Sequence, residues 1–167
     1  MVNKAARRQI PGPDQESAWD YPRPPITEDF AGRVRVVFNN TVVAESQGSK
    51  RVLETYHPPV YYIPLTDIRG EFIVEADAGT VCEWKGPATY YTISVHYEKA
   101  ERAAWRYPNP TPEFASIKDS LAFYPAAMDA CFVNDEPVVP QSGDFYGGWI
   151  TRNIVGPFKG SPGTMDW

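Results

Sequence analysis

The stretch RVRVVFNNTVVAES, residues 33–46, decides the fold class of this chain. Val34, Val36 and Phe38 occupy every second position of its first half, which is the period of a half-buried β-strand. Asn39-Asn40 follows, and asparagine tolerates the left-handed backbone conformation of a tight hairpin turn. Residues 41–46 then have the composition of a returning strand. The stretch therefore predicts an antiparallel β-hairpin.

Further strand signals extend outward from the hairpin across most of the chain. Turn-forming residues separate them, and the 17 prolines favour short strands joined by rigid turns over long helices. The further predicted strands are residues 51–56, 60–63, 71–75, 88–97, 128–133, 138–139 and 149–155. Together these segments predict a mainly β, compact, antiparallel fold.

One short helix is predicted near residues 111–121. Thr111 can cap its first turn, Pro112 suits the first helical position, and Glu113 complements the helix dipole. Phe114, Ile117 and Leu121 would supply the apolar stripe that packs on the core.

Proline content and recurring strings predict the domain organisation. Residues 1–32 contain five prolines that are expected to stop any regular ladder, which predicts an extended arm before a single β domain at 33–167. The string AWDYPRP at 18–24 returns as AWRYPNP at 104–110, and FNN at 38–40 and WKG at 84–86 return in the same order as FVN and FKG. A tandem duplication with half-repeats at 18–100 and 104–167 would explain this order. Chance echoes of an aromatic-rich and proline-rich composition are the alternative.

Net charge and hydropathy argue against nucleic-acid and membrane partners. The net charge is −5, the pI is about 5.0 and the cations are scattered, so no nucleic-acid surface is expected. No apolar run approaches the ~20 residues of a membrane span, and the N-terminus lacks the apolar core of a secretory signal. The expectation is a cytoplasmic protein without membrane contact, in which Cys82 and Cys131 are free thiols.

The segment RVLETYHPPVYY, residues 51–62, gathers a carboxylate, an imidazole and three phenols. On a strand, Glu54 would share a face with Val52 and Tyr56, and desolvation there would make it a candidate acid or base. The alternative is a rim carboxylate paired with Arg51 or Lys85. His57 is either a positioned proton shuttle or a structural histidine bonded to a turn carbonyl.

A second cluster, Cys82-Glu83-Trp84-Lys85-Gly86, precedes the long strand. Lys85 could orient a substrate anion or carbonyl, or act as a base if burial favoured its neutral form; a solvated lysine is the alternative. Along the strand, alternation predicts a core face and a polar face. The core face would hold Tyr91, Ile93, Val95 and Tyr97, and the polar face, in solvent or in a wet cavity, would hold Tyr90, Thr92, Ser94 and His96.

The sequence carries no metal or cofactor signature. It has no Cys-x-x-Cys, His-x-x-x-His or His-Glu-x-x-His pattern, so no metal site and no cofactor are expected. Gly147-Gly148 precedes a predicted strand rather than a helix, which argues against a phosphate-binding loop. A redox role for Cys82 is a further alternative and would require a reactive thiolate.

Several strings together resemble the domain-of-unknown-function family 427, over roughly residues 18–167. They are VLET at 52–55, PPVYYIP at 58–64, CEWKG at 82–86, AWRYP at 104–108, Phe123-Tyr124, and FYGGWIT at 145–151 through GPFKG at 156–160. The resemblance implies a compact antiparallel β fold similar to tent-like β folds. Some of those bind zinc through paired Cys-x-x-Cys knuckles, which this chain lacks. No established catalytic set comes with the family.

The leading functional hypothesis is a cofactor-independent isomerase, cyclase, hydrolase or lyase that acts on an oxygenated organic metabolite. Its candidate catalytic residues are Glu54, Lys85 and His57, and its candidate substrate-binding residues are Arg51, Tyr61, Tyr62, Tyr90, Trp105 and Tyr124. The alternative is a non-catalytic module that binds a ligand or a partner, in which the same aromatic residues only provide shape. The expected partner is a small molecule, and the sequence leaves a homodimer open.

Overall fold

The computed structural model describes residues 8–82, 84–143 and 145–167, without the side chains of residues 77–80. Strands of two to ten residues and short 3₁₀ segments make up its regular structure. The strands are β1 (Glu16–Ser17), β2 (Ile26–Asp29), β3 (Val34–Phe38), β4 (Thr41–Ser46), β5 (Lys50–Leu53), β6 (Val60–Pro64), β7 (Ile73–Cys82), β8 (Gly86–Val95), β9 (Glu98–Arg106), β10 (Ser120–Phe123), β11 (Ala130–Val133), β12 (Glu136–Pro137), β13 (Val139–Pro140), β14 (Trp149–Ile150) and β15 (Ile154–Val155). The 3₁₀ segments are Ala18–Asp20, Leu65–Asp67, Gly70–Phe72, Pro112–Ile117 and Pro125–Ala127.

Two antiparallel sheets dominate the fold. The larger sheet has seven strands in the order β2-β5-β6-β10-β9-β8-β7, and the smaller one has four in the order β12-β11-β3-β4. Two-stranded pairs, β13 with β14 and β1 with β15, complete the described sheets, and the β1–β15 pair is parallel. The predicted mainly antiparallel β fold is confirmed.

The predicted hairpin at 33–46 is present as β3 and β4. Asn39 and Asn40 adopt φ values of 48° and 57°, the left-handed conformation that a two-residue turn requires. A second hairpin, β11 and β12, turns through Asn134 and Asp135 with φ values of 47° and 66°, and β11 pairs with β3 in the same sheet. The first AW string forms a 3₁₀ segment, however, whereas the second lies in β9. The duplication therefore stays a prediction.

The larger sheet buries apolar side chains on both of its faces. On one face it packs against the smaller sheet, and the shared core includes Val34, Val36, Tyr61, Ile63, Ile93, Leu121, Phe123 and Trp149. On the opposite face a second apolar cluster includes Val52, Tyr62, Tyr90, Trp105, Tyr107 and Ala122. Neighbours such as Tyr61 and Tyr62 thus belong to different clusters, because successive side chains on a strand point to opposite faces.

The predicted short helix is present but is a 3₁₀ segment, Pro112–Ile117, and it ends before Leu121. The Thr111 side chain does not cap it; its hydroxyl donates instead to the Trp84 carbonyl at 2.5 Å. Leu121 lies in β10 and pairs with Ile63 of β6. The predicted helix extended too far toward the C-terminus, because pairing of β10 with β6 overrode the local helical spacing of apolar residues.

The expected core position of Tyr97 is wrong. The long strand ends at Val95, and His96 and Tyr97 form a left-handed turn with φ values of 49° and 72°. Tyr97 is 100% exposed because the strand ends before it. Within the strand the predicted alternation holds: Tyr91, Ile93 and Val95 contact the core between the sheets, and Tyr90 lies on the opposite face in the second apolar cluster.

Five strands were not predicted: β1, β2, β9, β10 and β12. The polar start of β9 lacks the strand period, although backbone pairing to β8 and β10 holds it in the sheet. Both β1 and β2 lie in the arm expected to have no ladder, and β2 pairs with β5. Pro25 is the last proline of the arm, so Ile26–Asp29 retains the N–H groups that pairing requires. Residues 1–7 of the arm lie outside the described residues.

In the described part of the chain, no helix has the length and apolar character needed to cross a bilayer.

Replacing Leu121 with alanine tests the strand assignment and the core between the two sheets. Leu121 is fully buried, so Leu121→Ala should lower the free energy of unfolding by about 2–5 kcal/mol in urea denaturation. Val139 is 59% exposed, and Val139→Ala should change it by less than about 0.5 kcal/mol. Equal effects of the two substitutions would contradict the described core.

Candidate functional site

A cavity of about 320 Å³ lies against the second apolar face of the larger sheet. Its walls come from strands β5 to β9, from the segments that follow β5, β7, β9 and β10, and from the C-terminal part of the chain. The lining residues are Val52, Glu54, His57, Pro58, Val60, Tyr62, Val81, Cys82, Trp84, Lys85, Tyr90, Trp105, Tyr107, Tyr124, Gln141, Phe145, Tyr146, Gly147 and Lys159. Aromatic rings and a few ionisable groups therefore face one cavity, as in small-molecule sites.

Seven of the nine candidate site residues line this cavity. They are Glu54, His57, Tyr62, Lys85, Tyr90, Trp105 and Tyr124. The structure thus brings together two stretches that lie about thirty residues apart in the sequence. The roles of these residues in binding or catalysis stay predictions.

Arg51 and Tyr61 do not line the cavity. The Arg51 guanidinium binds two carboxylates, with Nη1 2.8 Å from Glu16 and Nε 2.8 Å from Glu28. Tyr61 packs in the core between the sheets, where burial raises its pKa to about 12. Their immediate neighbours Val52 and Tyr62 face the cavity instead, as strand alternation requires.

Gln141 fixes the orientation and tautomer of His57. The Gly148 N–H donates to Oε1 of Gln141 at 3.1 Å, which identifies the other end of the side-chain amide as the donor. That Nε2 donates to the Lys159 carbonyl at 2.7 Å and to Nδ1 of His57 at 3.0 Å. Nδ1 is therefore an acceptor, and the proton of the neutral ring is on Nε2.

His57 is neutral at physiological pH. Its pKa is lowered to about 4, chiefly by burial and then by the positive charges of Lys159, Arg23 and Lys85. Nε2 lies 3.7 Å from Oε2 of Glu54, a distance compatible with an ion pair. Because burial opposes protonation of the ring, this contact joins a neutral imidazole to a carboxylate.

Glu54 follows directly after β5, which ends at Leu53, three residues before the predicted end. Its side chain is 25% exposed, and its Oε2 lies 3.5 Å from Nη2 of Arg23. Neither Arg51 nor Lys85, the partners weighed from the sequence, forms an ion pair with it among the described contacts. A partly exposed carboxylate at the cavity wall is accessible both to a ligand and to water.

Lys85 projects from the turn between β7 and β8 and is only 8% exposed. Its Nζ lies 3.6 Å from the Cys82 thiol and 5.8 Å and 5.4 Å from the ring centres of Tyr107 and Phe114. The turn continues into Gly86, whose φ of 97° suits glycine. Glu83, the carboxylate expected near Lys85, lies outside the described residues.

The aromatic wall is held by ring contacts and by hydrogen bonds. The ring centres of Trp105 and Tyr124 are 4.5 Å apart, and Trp105 Nε1 donates to the Tyr62 hydroxyl at 3.3 Å. Burial raises the pKa of Tyr62 well above its usual value. These phenols are therefore hydrogen-bonding groups and not anions at neutral pH.

Several lining residues were not singled out as site residues from the sequence. Tyr107 and Lys159 belong to recurring strings, which marked them only as parts of a repeat. No sequence motif marked Gln141 as a site residue, because its role depends on its contacts with His57 and Lys159 in the folded chain. Across the described residues, no cluster of three His, Cys, Asp or Glu side chains is placed to hold a metal ion.

The charge state of His57 can be measured directly by NMR. The chain has two histidines, so His96→Gln leaves a single imidazole whose resonances report His57. We expect its titration midpoint near pH 4, because burial and nearby cations oppose protonation. A midpoint near 6.5 would show that the ring is solvated and would contradict the described environment.

The lowered pKa of His57 also predicts how the free energy of unfolding depends on pH. Between pH 6.5 and 4 the unfolded chain protonates His57 whereas the folded protein does not, so this group favours unfolding as the pH falls. It should lower the free energy of unfolding by about 3 kcal/mol at pH 4 relative to pH 7. Parallel urea denaturation of wild type and His57→Gln should show a smaller loss in the variant, and identical pH profiles would contradict the assignment.

The comparisons with known proteins place the chain in a family of undetermined function. A family model with the description "Domain of unknown function (DUF427)" matches residues 26–134, roughly two-thirds of the chain. No curated protein matches the sequence. The matched region contains Glu54, His57 and Lys85, and it ends before Gln141 and Lys159. The chain belongs to the DUF427 family.

Proposed function

We propose that this protein is a small, cofactor-independent enzyme that binds an oxygenated organic molecule in the cavity and transfers a proton to or from it. The observation that supports the proposal is that a carboxylate, a neutral imidazole and an ammonium group, from Glu54, His57 and Lys85, line one aromatic cavity. Convergent ionisable groups in an apolar pocket are typical of acid/base catalysis.

Each of the three groups has a distinct chemical role in the proposal. Glu54 is the base that accepts a proton from the substrate or from a bound water, since it is partly exposed at the wall. His57 donates a hydrogen bond through Nε2–H to negative charge that develops on the substrate, because Gln141 holds its other nitrogen as an acceptor. Lys85 orients and polarises a carbonyl or carboxylate of the substrate. Isomerases, cyclases, hydrolases and lyases without cofactors all use such steps.

A non-catalytic binding module is the second candidate, and two contacts favour it. Arg23 lies 3.5 Å from Glu54, and Gln141 lies 3.0 Å from His57, so both proposed acid/base groups have fixed partners. In such a module the same residues would only hold the shape and polarity of the cavity. Native mass spectrometry of the purified protein separates the candidates, because a retained ligand that the protein does not convert indicates binding alone.

The catalytic proposal predicts a loss of turnover in two separate variants. A purified metabolite extract is incubated with the protein, and consumed compounds are identified by mass spectrometry. Glu54→Gln and Lys85→Met should each reduce the rate of consumption by about a hundredfold or more, the usual contribution of a positioned acid or base. Wild-type rates in both variants would refute the proposal.

Matched controls use the same substitutions on the surface. Glu45 and Lys99 are both exposed and do not line the cavity, so Glu45→Gln and Lys99→Met should keep the wild-type rate. Thermal denaturation of all four variants separates lost chemistry from lost folding. A comparable loss of rate in the control variants would show that surface charge, and not the cavity, determines turnover.

A further inference from the structure

Two lysines bring positive charge to a cavity in a protein that is acidic overall. Lys85 and Lys159 both line the cavity, whereas the net charge of the chain is −5. Of the lining side chains that the structure describes, Glu54 is the single carboxylate, and Arg23 lies 3.5 Å from it. The described cavity wall therefore has an excess of positive charge.

Both ammonium groups lie beside aromatic rings. The Lys159 Nζ lies 5.7 Å from the ring centre of Tyr146 and donates to a main-chain oxygen of Trp167 at 3.1 Å. Lys85 is 8% exposed, and its described contacts are a thiol and two ring faces. Around Lys85, ring faces and a thiol compensate only part of the cost of desolvating an ammonium group. An anionic ligand in the cavity would compensate the remainder.

His57 lies within reach of both lysine charges. Its ring lines the same cavity, and the charges of Lys159 and Lys85 both oppose its protonation. The two lysines therefore act on one region of the cavity although they lie 74 positions apart in the sequence. A group that binds next to His57 would experience both charges.

Four aromatic side chains of the lining can contact a flat ring. Tyr62, Tyr90, Trp105 and Tyr124 are all aromatic, and Trp105 and Tyr124 have ring centres only 4.5 Å apart. A volume of about 320 Å³ is at the small end of ligand pockets, which suits a molecule of one or two rings. Aromatic side chains bind such rings by offset stacking or edge contacts.

We propose that the cavity selects a planar organic anion, with Lys85 and Lys159 together binding its oxyanion and the aromatic wall binding its ring. Lys85 lies within the region that matches the family, whereas Lys159 lies beyond it, so the C-terminal segment contributes to specificity in this chain. This inference rests on the proposed function in one respect, that the cavity is the ligand site. It adds the chemical class of the ligand.

The test uses three probes that share a ring and differ in charge: benzoate, phenyl phosphate and benzamide. Calorimetric titration of the wild-type protein should give at least tenfold tighter binding of benzoate or phenyl phosphate than of neutral benzamide. The tighter of the two anions identifies the oxyanion as a carboxylate or a phosphate. Equal affinity for benzamide and both anions, or no binding of any probe, would overturn the inference.

Substituting one lysine at a time shows which side chain causes the preference for an anion over benzamide. Lys85→Met and Lys159→Met should each weaken binding of the preferred anion at least tenfold and weaken benzamide binding by a much smaller factor, whereas Lys99→Met should change neither. Lys85→Arg, which keeps the charge, should retain the preference for the anion. If both methionine variants weaken benzamide as much as the anion, the lysines maintain shape only and the inference fails.

The experiments can refute the ligand class and the catalytic proposal independently of each other. Glu54→Gln removes a negative charge from the wall, so it should bind the preferred anion at least as tightly as the wild type while losing turnover. Lysine-dependent anion binding together with unchanged turnover in Glu54→Gln would refute the catalytic proposal alone. Turnover that depends on Glu54 without any anion preference would refute the ligand class alone.

Discussion

The opposite orientation of neighbouring side chains in the larger sheet is the constraint on which the rest of the structure depends. Tyr61 and Tyr62 are adjacent in β6, yet Tyr61 packs against Trp149 in the core between the sheets and Tyr62 faces the cavity. Ala104 and Trp105 divide between the two faces in the same way. One face of the sheet is therefore closed by the smaller sheet, and the other is free to form a site.

The C-terminal part of the chain turns this second face into a polar site. Gln141 accepts from Gly148 and donates to both His57 and the Lys159 carbonyl, so one amide links the imidazole to two C-terminal segments. A side chain at Gly148 would meet Pro58 and Gln141 at about 2.5 Å, which explains glycine at that position. The cavity is thus a joint product of the family-matched region and the segment that follows it.

Local patterns in the sequence predicted much of the fold and a large part of the site. Alternation and the Asn39-Asn40 turn identified the first hairpin, and the clustering of ionisable and aromatic residues identified most cavity-lining candidates. Several of the wrong or missing predictions depend on distant contacts. Leu121, for example, belongs to β10 and not to the predicted helix, because it pairs with Ile63 of β6. Tyr61 was assigned to the cavity wrongly for a local reason, since it points to the face opposite its neighbour Tyr62. Gln141 has its role only through its spatial neighbours.

The division of the sheet into a core face and a ligand face can be tested by one NMR titration. The indole N–H of Trp105 lies beside Tyr62 at the cavity, whereas that of Trp149 donates to the Phe123 carbonyl in the core at 3.1 Å. Titration of the wild-type protein with benzoate should shift the indole resonance of Trp105 and leave that of Trp149 in place. A shift of Trp149 without a shift of Trp105, or no shift of either, would contradict this account.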